Sequence, residues 1–303
     1  MIWKALRTLD WRHKKVEFAY RMKDYKFHFH KVRRSPLAMV GIFIITGFVV
    51  TAVFADLIAI HPEDADNAIN VALEFEPPSL KRPFGTDEMG RDLFSRVIIG
   101  SRISLMVACV VVLISAFIGV PLGLVAGFIG GKVDEVIMRV ADMFMSIPYL
   151  LMAMAVAAVL GPSLRNTMIA VSIPWWPVYA RLARAQTLSI KEEQFIKAAW
   201  AMGASRSRII FRHLLPNCLA PIIVQTSIQC AQAILYTSYL GFIGIGAPPP
   251  TPEWGLMVSI GRRYLPAQWW VSFFPGLAIF ITTLGFNLFG DGMRDVLDPK
   301  LRR

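Results

Sequence analysis

The sequence predicts an all-α, polytopic membrane protein with about six transmembrane helices and both termini on the cytoplasmic side. Three observations lead there. Apolar residues make up 55% of the 303 residues and charged residues only 17%, with a mean hydropathy of +0.51; a soluble chain carries roughly a quarter charged residues. The apolar residues gather into uninterrupted runs long enough to cross a hydrocarbon core of about 30 Å, which takes roughly 20 helical residues. The basic residues crowd one alternate set of the segments between those runs.

The first charge-free run covers residues 36–55, and others cover 103–131, 143–164, 218–252 and 267–290. A weaker span lies at 166–180, with Pro174 and Pro177 inside it and Arg165 and Arg181 at its ends. Those two long side chains can snorkel to the interfaces, and a helix continuing past Arg181 supplies the missing length. With six spans, segments 1–35, 132–142, 181–217 and 291–303 share one side and hold 24 Lys and Arg. The opposite segments, 56–102, 161–166 and 247–268, hold 8. Positive residues mark the cytoplasmic side, so the first set is expected inside. The net charge of +11 is therefore a topology signal. A nucleic-acid partner is not expected, because the basic residues follow span ends and no nucleic-acid motif accompanies them.

The 1–34 leader mixes aromatic residues with eleven Lys and Arg. Two readings stay open: a helix lying on an anionic membrane surface, or a solvated leader that only sets topology. The first apolar run is longer than the 7–15 residues of a cleavable signal, and some 35 polar residues precede it, so none is expected. Residues 35–303 are expected to form the transmembrane domain.

Within the spans, Cys109, Cys218 and Cys230 have no metal-ligand spacing and read as small packing residues. The histidines offer no metal-ligand cluster either. Gly119, Gly123 and Gly127 recur every four residues, the pattern that lets membrane helices approach closely. Trp269 and Trp270 read as anchors in the interfacial belt. The sequence contains no phosphate loop, nucleophile elbow or zinc-protease motif, so no catalytic residue is expected. The span cores hold no Asp, Glu, Lys, Arg or His, groups on which ion-coupled carriers depend. A transporter built this way would draw its energy from another subunit.

One basic island between spans stands out, Phe195-Ile-Lys-Ala-Ala-Trp-Ala-Met-Gly203, running on to Leu214-Leu215-Pro216. Ser189 and Glu192 have capping-box spacing, which predicts a helix over about 190–202. Gly203 suits a left-handed terminus. Ser205 can cap a second helix through Leu215, and Pro216 predicts a break or kink. Ala198 and Ala199 project little and would admit the surface of another protein. Phe195 and Met202, seven residues apart, would serve as apolar anchors. The same residues can also form an ordinary loop packed on its own bundle.

The spacing of Ala198-Ala199, Gly203 and Leu215-Pro216 resembles the E-A-A-x3-G-x9-I-x-L-P loop of ABC importer permeases, although Lys197 replaces the acid and His213 the isoleucine. Three further stretches are similar to the dipeptide/oligopeptide (DppC/OppC-type) branch. They are Phe84-Gly-Thr-Asp-Glu-Met-Gly-Arg-Asp-Leu-Phe-Ser-Arg96 with Gly100-Ser-Arg-Ile-Ser-Leu105, Pro248-Pro-Pro-Thr-Pro-Glu-Trp-Gly255, and Asn287 to Asp295 with Asp298-Pro299. The resemblance covers about residues 35–303.

It implies a type I ABC importer permease in a prokaryotic cell membrane. Such a subunit pairs with a sibling permease, each forming half of the path. It meets two cytoplasmic ATPase subunits, which bind ATP and Mg, and receives solute from an extracytoplasmic binding protein. No cofactor is implied for this chain. Phe195, Lys197, Ala198, Ala199, Met202, Gly203 and Pro216 would form the coupling site. Gly85, Asp87, Gly90, Arg91, Asp92, Arg96, Trp254 and Gly255 would form an outer gate or binding-protein dock, or else a structural cap. The implied solute is a di- or oligopeptide; relatives with this pattern also take nickel complexes, oligosaccharides and other solutes. A membrane enzyme and a non-transport scaffold are the remaining classes.

Overall fold

A computed structural model describes residues 32–33, 35–65 and 68–297. The 1–31 part of the leader and the Asp298-Pro299 pair lie outside the described residues. Within them the fold is helical; its one β contact is an isolated bridge between Thr86 and Asp92.

Helix α1 (Pro36–Val53) starts where proline needs no N–H partner, and Ser35 Oγ accepts the Ala38 N–H at 3.3 Å. Helix α2 (Leu93–Ile129) has 37 residues, capped by Asp92. It begins ten residues before its charge-free run because Arg96 and Arg102 find partners beside it. Arg102, for example, donates to the Ala52 carbonyl and to Asp56, both at 2.8 Å. Helices α3 (Gly131–Ser146) and α4 (Tyr149–Leu160) follow, bent by 88° relative to each other. The 132–142 segment between two expected spans is thus helical.

The weak fourth span resolves into α5 (Leu164–Ser172), a 3-10 turn at Ile173–Trp175 and α6 (Trp176–Ile190). Pro174 and Pro177 supply no N–H to a continuous ladder, which accounts for the break. Helix α6 does run past Arg181. A short α7 (Gln194–Ala201) leads by way of Arg206–Arg208 and a π-helical stretch, Ile209–Leu214, into α8 (Leu215–Ile243). Then come α9 (Trp254–Gly261) and α10 (Trp270–Leu297).

Four of these helical stretches are long and apolar enough to cross a membrane, and the bent α3–α4 pair is a fifth if it counts as one span. The glycine stripe does what its spacing predicts. A Cβ on Gly119 would lie 2.2 Å from the Trp176 carbonyl oxygen, and one on Gly123 2.2 Å from that of Ala180. One on Gly127 would lie 2.8 Å from Thr187 Cβ. Helices α2 and α6 therefore pack backbone to backbone, and any side chain on the stripe would separate them.

Buried side chains collect at both ends of α2. Near its C-terminus, Leu124, Tyr179, Ile196, Ile209 and Leu214 form one core. Near its N-terminus, Leu93, Val97, Ile234, Trp254 and Trp270 form another. A third, around Val111, Ala157, Trp175 and Leu240, lies between α2, α4 and α8. At 1.5 Å per residue, 37 residues place the two ends of α2 about 55 Å apart along the helix. The 181–217 segment sits at one end and the 56–102 and 247–268 segments at the other.

Candidate functional site

The basic island forms a helix and a sharp turn held against the bundle. Ser189 does not cap it: α6 continues through Ile190, so Ser189 lies inside a helix, and α7 starts only at Gln194 after Glu193. The expected capping box is therefore replaced by a three-residue break, Lys191 to Glu193. Ile196 and Ala199 face inward and are buried, 1% and 4% exposed. Trp200 stacks on Phe128 with centroids 5.8 Å apart, and Lys191 Nζ donates to the Gly127 carbonyl at 3.1 Å. These contacts fix α7 to the end of α2.

The opposite face is open. Phe195 and Met202 are 44% and 82% exposed, with Ala198 exposed between them. Of the two alanines, only Ala198 is on this face. Lys197 is solvent-exposed and pairs with Glu192 at 3.3 Å. Gly203 ends the helix at φ +79°. Its N–H donates to the Trp200 carbonyl at 2.9 Å and the Ala204 N–H to that of Ala199 at 3.1 Å, the pairing of a Schellman terminus. Ser205 Oγ then accepts the Arg208 N–H, as expected of a cap. Pro216 brings no sharp break. The π-helical stretch before it shifts the ladder, with the Leu215 N–H bonded to Ile210, and α8 follows directly.

At the far end, the two loop segments lock into one cap. Asp87 accepts the Met89 and Arg91 N–H groups at 2.9 and 3.0 Å and the Arg91 Nε at 2.8 Å. Gly85 and Gly90 have φ of +73° and +71°. A Cβ on Gly90 would lie 1.9 Å from the Asn70 carbonyl oxygen, so both conformation and space exclude a side chain there. Asp92 accepts the Ser95 N–H and hydroxyl at 2.8 and 2.6 Å. Arg96, 2% exposed, donates to the Ala65 carbonyl at 2.8 Å and the Pro250 carbonyl at 3.0 Å, tying the two loops together.

Trp254 Nε1 donates to the Val97 carbonyl at 3.0 Å. A Cβ on Gly255 would lie 2.2 Å from the Ser238 carbonyl oxygen, so α9 seats directly on the α8 backbone. Trp270 is buried and donates to the Thr86 carbonyl at 3.2 Å; it is a cap residue, not a belt anchor. Trp269 beside it is exposed.

Two carboxyl groups in this cap have raised pKa values. Glu253 is raised by burial, against the Gly255 and Leu256 N–H groups and the Ser238 hydroxyl that favour its charge. Burial also raises Glu88, followed by the nearby charge of Asp87. Sequence reasoning missed Glu253, Ile196 and Trp200. An acid just before the apolar Trp254–Gly261 stretch is an N-cap signal that could have found the first. A cavity of about 510 Å³, open to the surface, lies against the cap between Glu88, Arg91, Arg96, Pro250, Arg263 and Tyr264.

A bundle of long apolar helices, with a small exposed helix at one end and an interlocked cap at the other, is the architecture of a polytopic membrane protein. Comparison with known proteins supplies the family. The profile described as "Binding-protein-dependent transport system inner membrane component" matches residues 119–303, and that of the "N-terminal TM domain of oligopeptide transport permease C" matches residues 28–78. The chain is 48% identical over 269 residues to the probable D,D-dipeptide transport system permease protein DdpC of Escherichia coli, covering 89% of each chain. It is 44% identical to the dipeptide transport system permease protein DppC of Alkalihalophilus pseudofirmus, over 90% of this chain and 89% of that one. It is 38% identical to the oligopeptide transport system permease protein OppC of Bacillus subtilis, over 90% and 88%.

Among solved structures, an inward-facing MetNI methionine ABC transporter chain matches with a TM-score of 0.54 and 20% identity, covering 67% of this chain and 97% of that one; this likeness speaks for the fold. The chain belongs to the ABC importer permeases, in their dipeptide/oligopeptide branch, and is a multi-pass inner-membrane protein.

Proposed function

We propose that this chain forms half of the translocation path of an ATP-driven importer for di- or oligopeptides and couples it to cytoplasmic ATPase subunits through α7. The observation that carries this is the two-sided character of α7. Ile196 and Ala199 anchor it in the bundle core, while Phe195, Ala198 and Met202 leave an apolar face in solvent. Exposed apolar side chains on a rigidly held surface helix mark a contact surface. Its rigid attachment to α2 and α6 lets a push on that face move both helices.

The partner is then a pair of P-loop ATPases, with a sibling permease as the second half of the path and an extracytoplasmic binding protein at the cap. ATP and Mg belong to the ATPases, and this chain is a non-catalytic subunit. The basic-residue asymmetry puts both termini and α7 in the cytoplasm and the cap outside. Nucleotide state would bias two conformations through differential contacts on α7. The names of the relatives supply the peptide class. In the cap, Gly85, Asp87, Gly90, Arg91, Asp92, Arg96, Trp254 and Gly255 hold a rigid surface against which a binding protein would dock.

The test is co-purification. Ala198→Arg, which puts a long charged side chain on the exposed face, is expected to lose the ATPases while retaining the sibling permease. ATPase recovery equal to wild type would remove α7 as the coupling element.

A further inference from the structure

Helix α8 carries Gln225, Gln229, Gln232, Tyr236 and Tyr239 at steps of four, three, four and three. At 3.6 residues per turn these five fall within an arc of about 80° and run about 21 Å along the helix. Gln232 and Tyr239 are exposed, and Gln225 and Tyr236 half-buried. Gln229 is 2% exposed, and its Oε1 has no hydrogen-bond partner among the described residues. Gln232 stands three residues from the midpoint of α8, so it cannot reach either interface.

Mid-span, the other helices differ. The large side chains they expose there are apolar: Phe43 and Val50 on α1, Leu113 and Phe117 on α2, Phe280 and Leu284 on α10, where polar exposure begins only at Asn287, in the C-terminal half of the helix. The serines of α2 at positions 101, 104 and 115 are all buried. A carboxamide facing acyl chains would leave its donors and acceptors unsatisfied at a heavy cost. The α8 stripe therefore faces something polar. Beside it stands an aromatic wall: Tyr236 packs on Tyr149 with centroids 4.5 Å apart and on Trp175 at 5.7 Å, and Tyr239 meets Tyr236 at 6.1 Å. Tyr149 is fixed in turn by its hydroxyl donating to the Val171 carbonyl.

We propose that this stripe is the solute-facing wall of the translocation path, and that it reads peptide groups instead of peptide termini. The assignment rests on the importer reading given above. Glutamine side chains both donate and accept, as a peptide group does, and aromatic faces accept side chains of varied shape. No Asp, Glu, Lys, Arg or His lies between Gln225 and Tyr239, so this stretch of α8 offers a terminal ammonium or carboxylate no countercharge. Neutral hydrogen bonds spread over about 21 Å hold a solute weakly at several places, which is what passage requires.

Single cysteines at 225, 232 and 239, with controls at 113 and 117, test this in a background with Cys109, Cys218 and Cys230 replaced by alanine. The protein is reconstituted with its sibling, ATPases and binding protein, and the probe is a small charged methanethiosulfonate. Cysteines at 232 and 239 should label at least tenfold faster than those at 113 and 117, with a transported dipeptide slowing the reaction. In the native background, Gln232→Leu should raise the KM for dipeptide uptake at least fivefold, and Leu113→Ala should not. Labelling no faster than the controls, or only when the sibling is absent, would overturn the proposal, the second result making the stripe a subunit contact. The wild-type complex separates the two readings. If it shows no ATP-driven peptide uptake, the importer reading itself fails; if uptake is intact and the stripe cysteines stay silent, only the stripe assignment fails.

Discussion

Replacing Gly203 by valine isolates the turn after α7 as a mechanical element. Gly203 sits at φ +79°, and a Cβ built on it would meet nothing within 4 Å. The cost is therefore backbone strain alone, with no packing clash. For an ordinary L-residue the left-handed conformation costs about 1–2 kcal/mol, and a β-branched side chain lies at the upper end. A cost of that size shifts the turn equilibrium by a factor of about 5–30. Two bonds of the Schellman terminus, to Trp200 and Ala199, loosen with it, and the direction of α7 relative to Ala204 is no longer fixed.

The expected result is near-normal assembly and thermal stability, with ATP-driven uptake falling several-fold relative to ATP hydrolysis in proteoliposomes. Gly203→Asn is the control, because asparagine tolerates the left-handed region, and it should recover most of the coupling. Equal behaviour of the valine and asparagine variants, or normal coupling in both, would refute the role given to this turn.

Three other perturbations address the packing and the cap. Gly123→Ala puts a Cβ 2.2 Å from the Ala180 carbonyl oxygen and should destabilise by about 3 kcal/mol, whereas Gly47→Ala, with open space around it, should leave the melting midpoint almost unchanged; equal midpoints would contradict the α2–α6 contact. Arg96→Met removes the link between Ala65 and Pro250 and should cost about 3 kcal/mol, read as faster proteolysis of the 56–102 segment from the cap side of proteoliposomes. Glu253 has its pKa raised by burial, so the folded state prefers the protonated form. Its penalty is absent below the ordinary value of 4.5, grows as pH rises from there toward the raised folded-state pKa, and is complete above it. Glu253→Gln should flatten the difference in melting midpoint across that window, and an unchanged pH profile would contradict the assignment.

Much of this was legible from sequence because a membrane imposes a coarse code. The run at 36–55 became α1 within two residues, since a charge-free stretch has little alternative in lipid. The Gly119-Gly123-Gly127 stripe named its own contact face. Gly203 could be read because few residue types accept its conformation. What failed had physical reasons. The start of α2 was hidden because Arg96 and Arg102 look like loop residues until their carbonyl partners, distant in sequence, are known. The capping box at Ser189 lost to the continuation of α6, since local capping cannot outweigh a helix already packed along the α2 glycines. Trp270 looked like a belt residue because its partner, the Thr86 carbonyl, lies 184 positions away. The inward turn of Ala199 depends on the orientation of α7, which the bundle sets.

The most direct measurement of the central claim is a site-specific cross-link from α7. With Met202→Cys, 82% exposed at that position in the free chain, and single cysteines scanned across the co-expressed ATPase, oxidation should give a permease–ATPase adduct in intact membranes, with a yield that changes when ATP is bound. Cysteine at Ile196, buried in the bundle, should give none. An absence of ATPase adducts from position 202, with the complex otherwise assembled and active, would contradict the claim that α7 is where ATP-driven motion enters this chain.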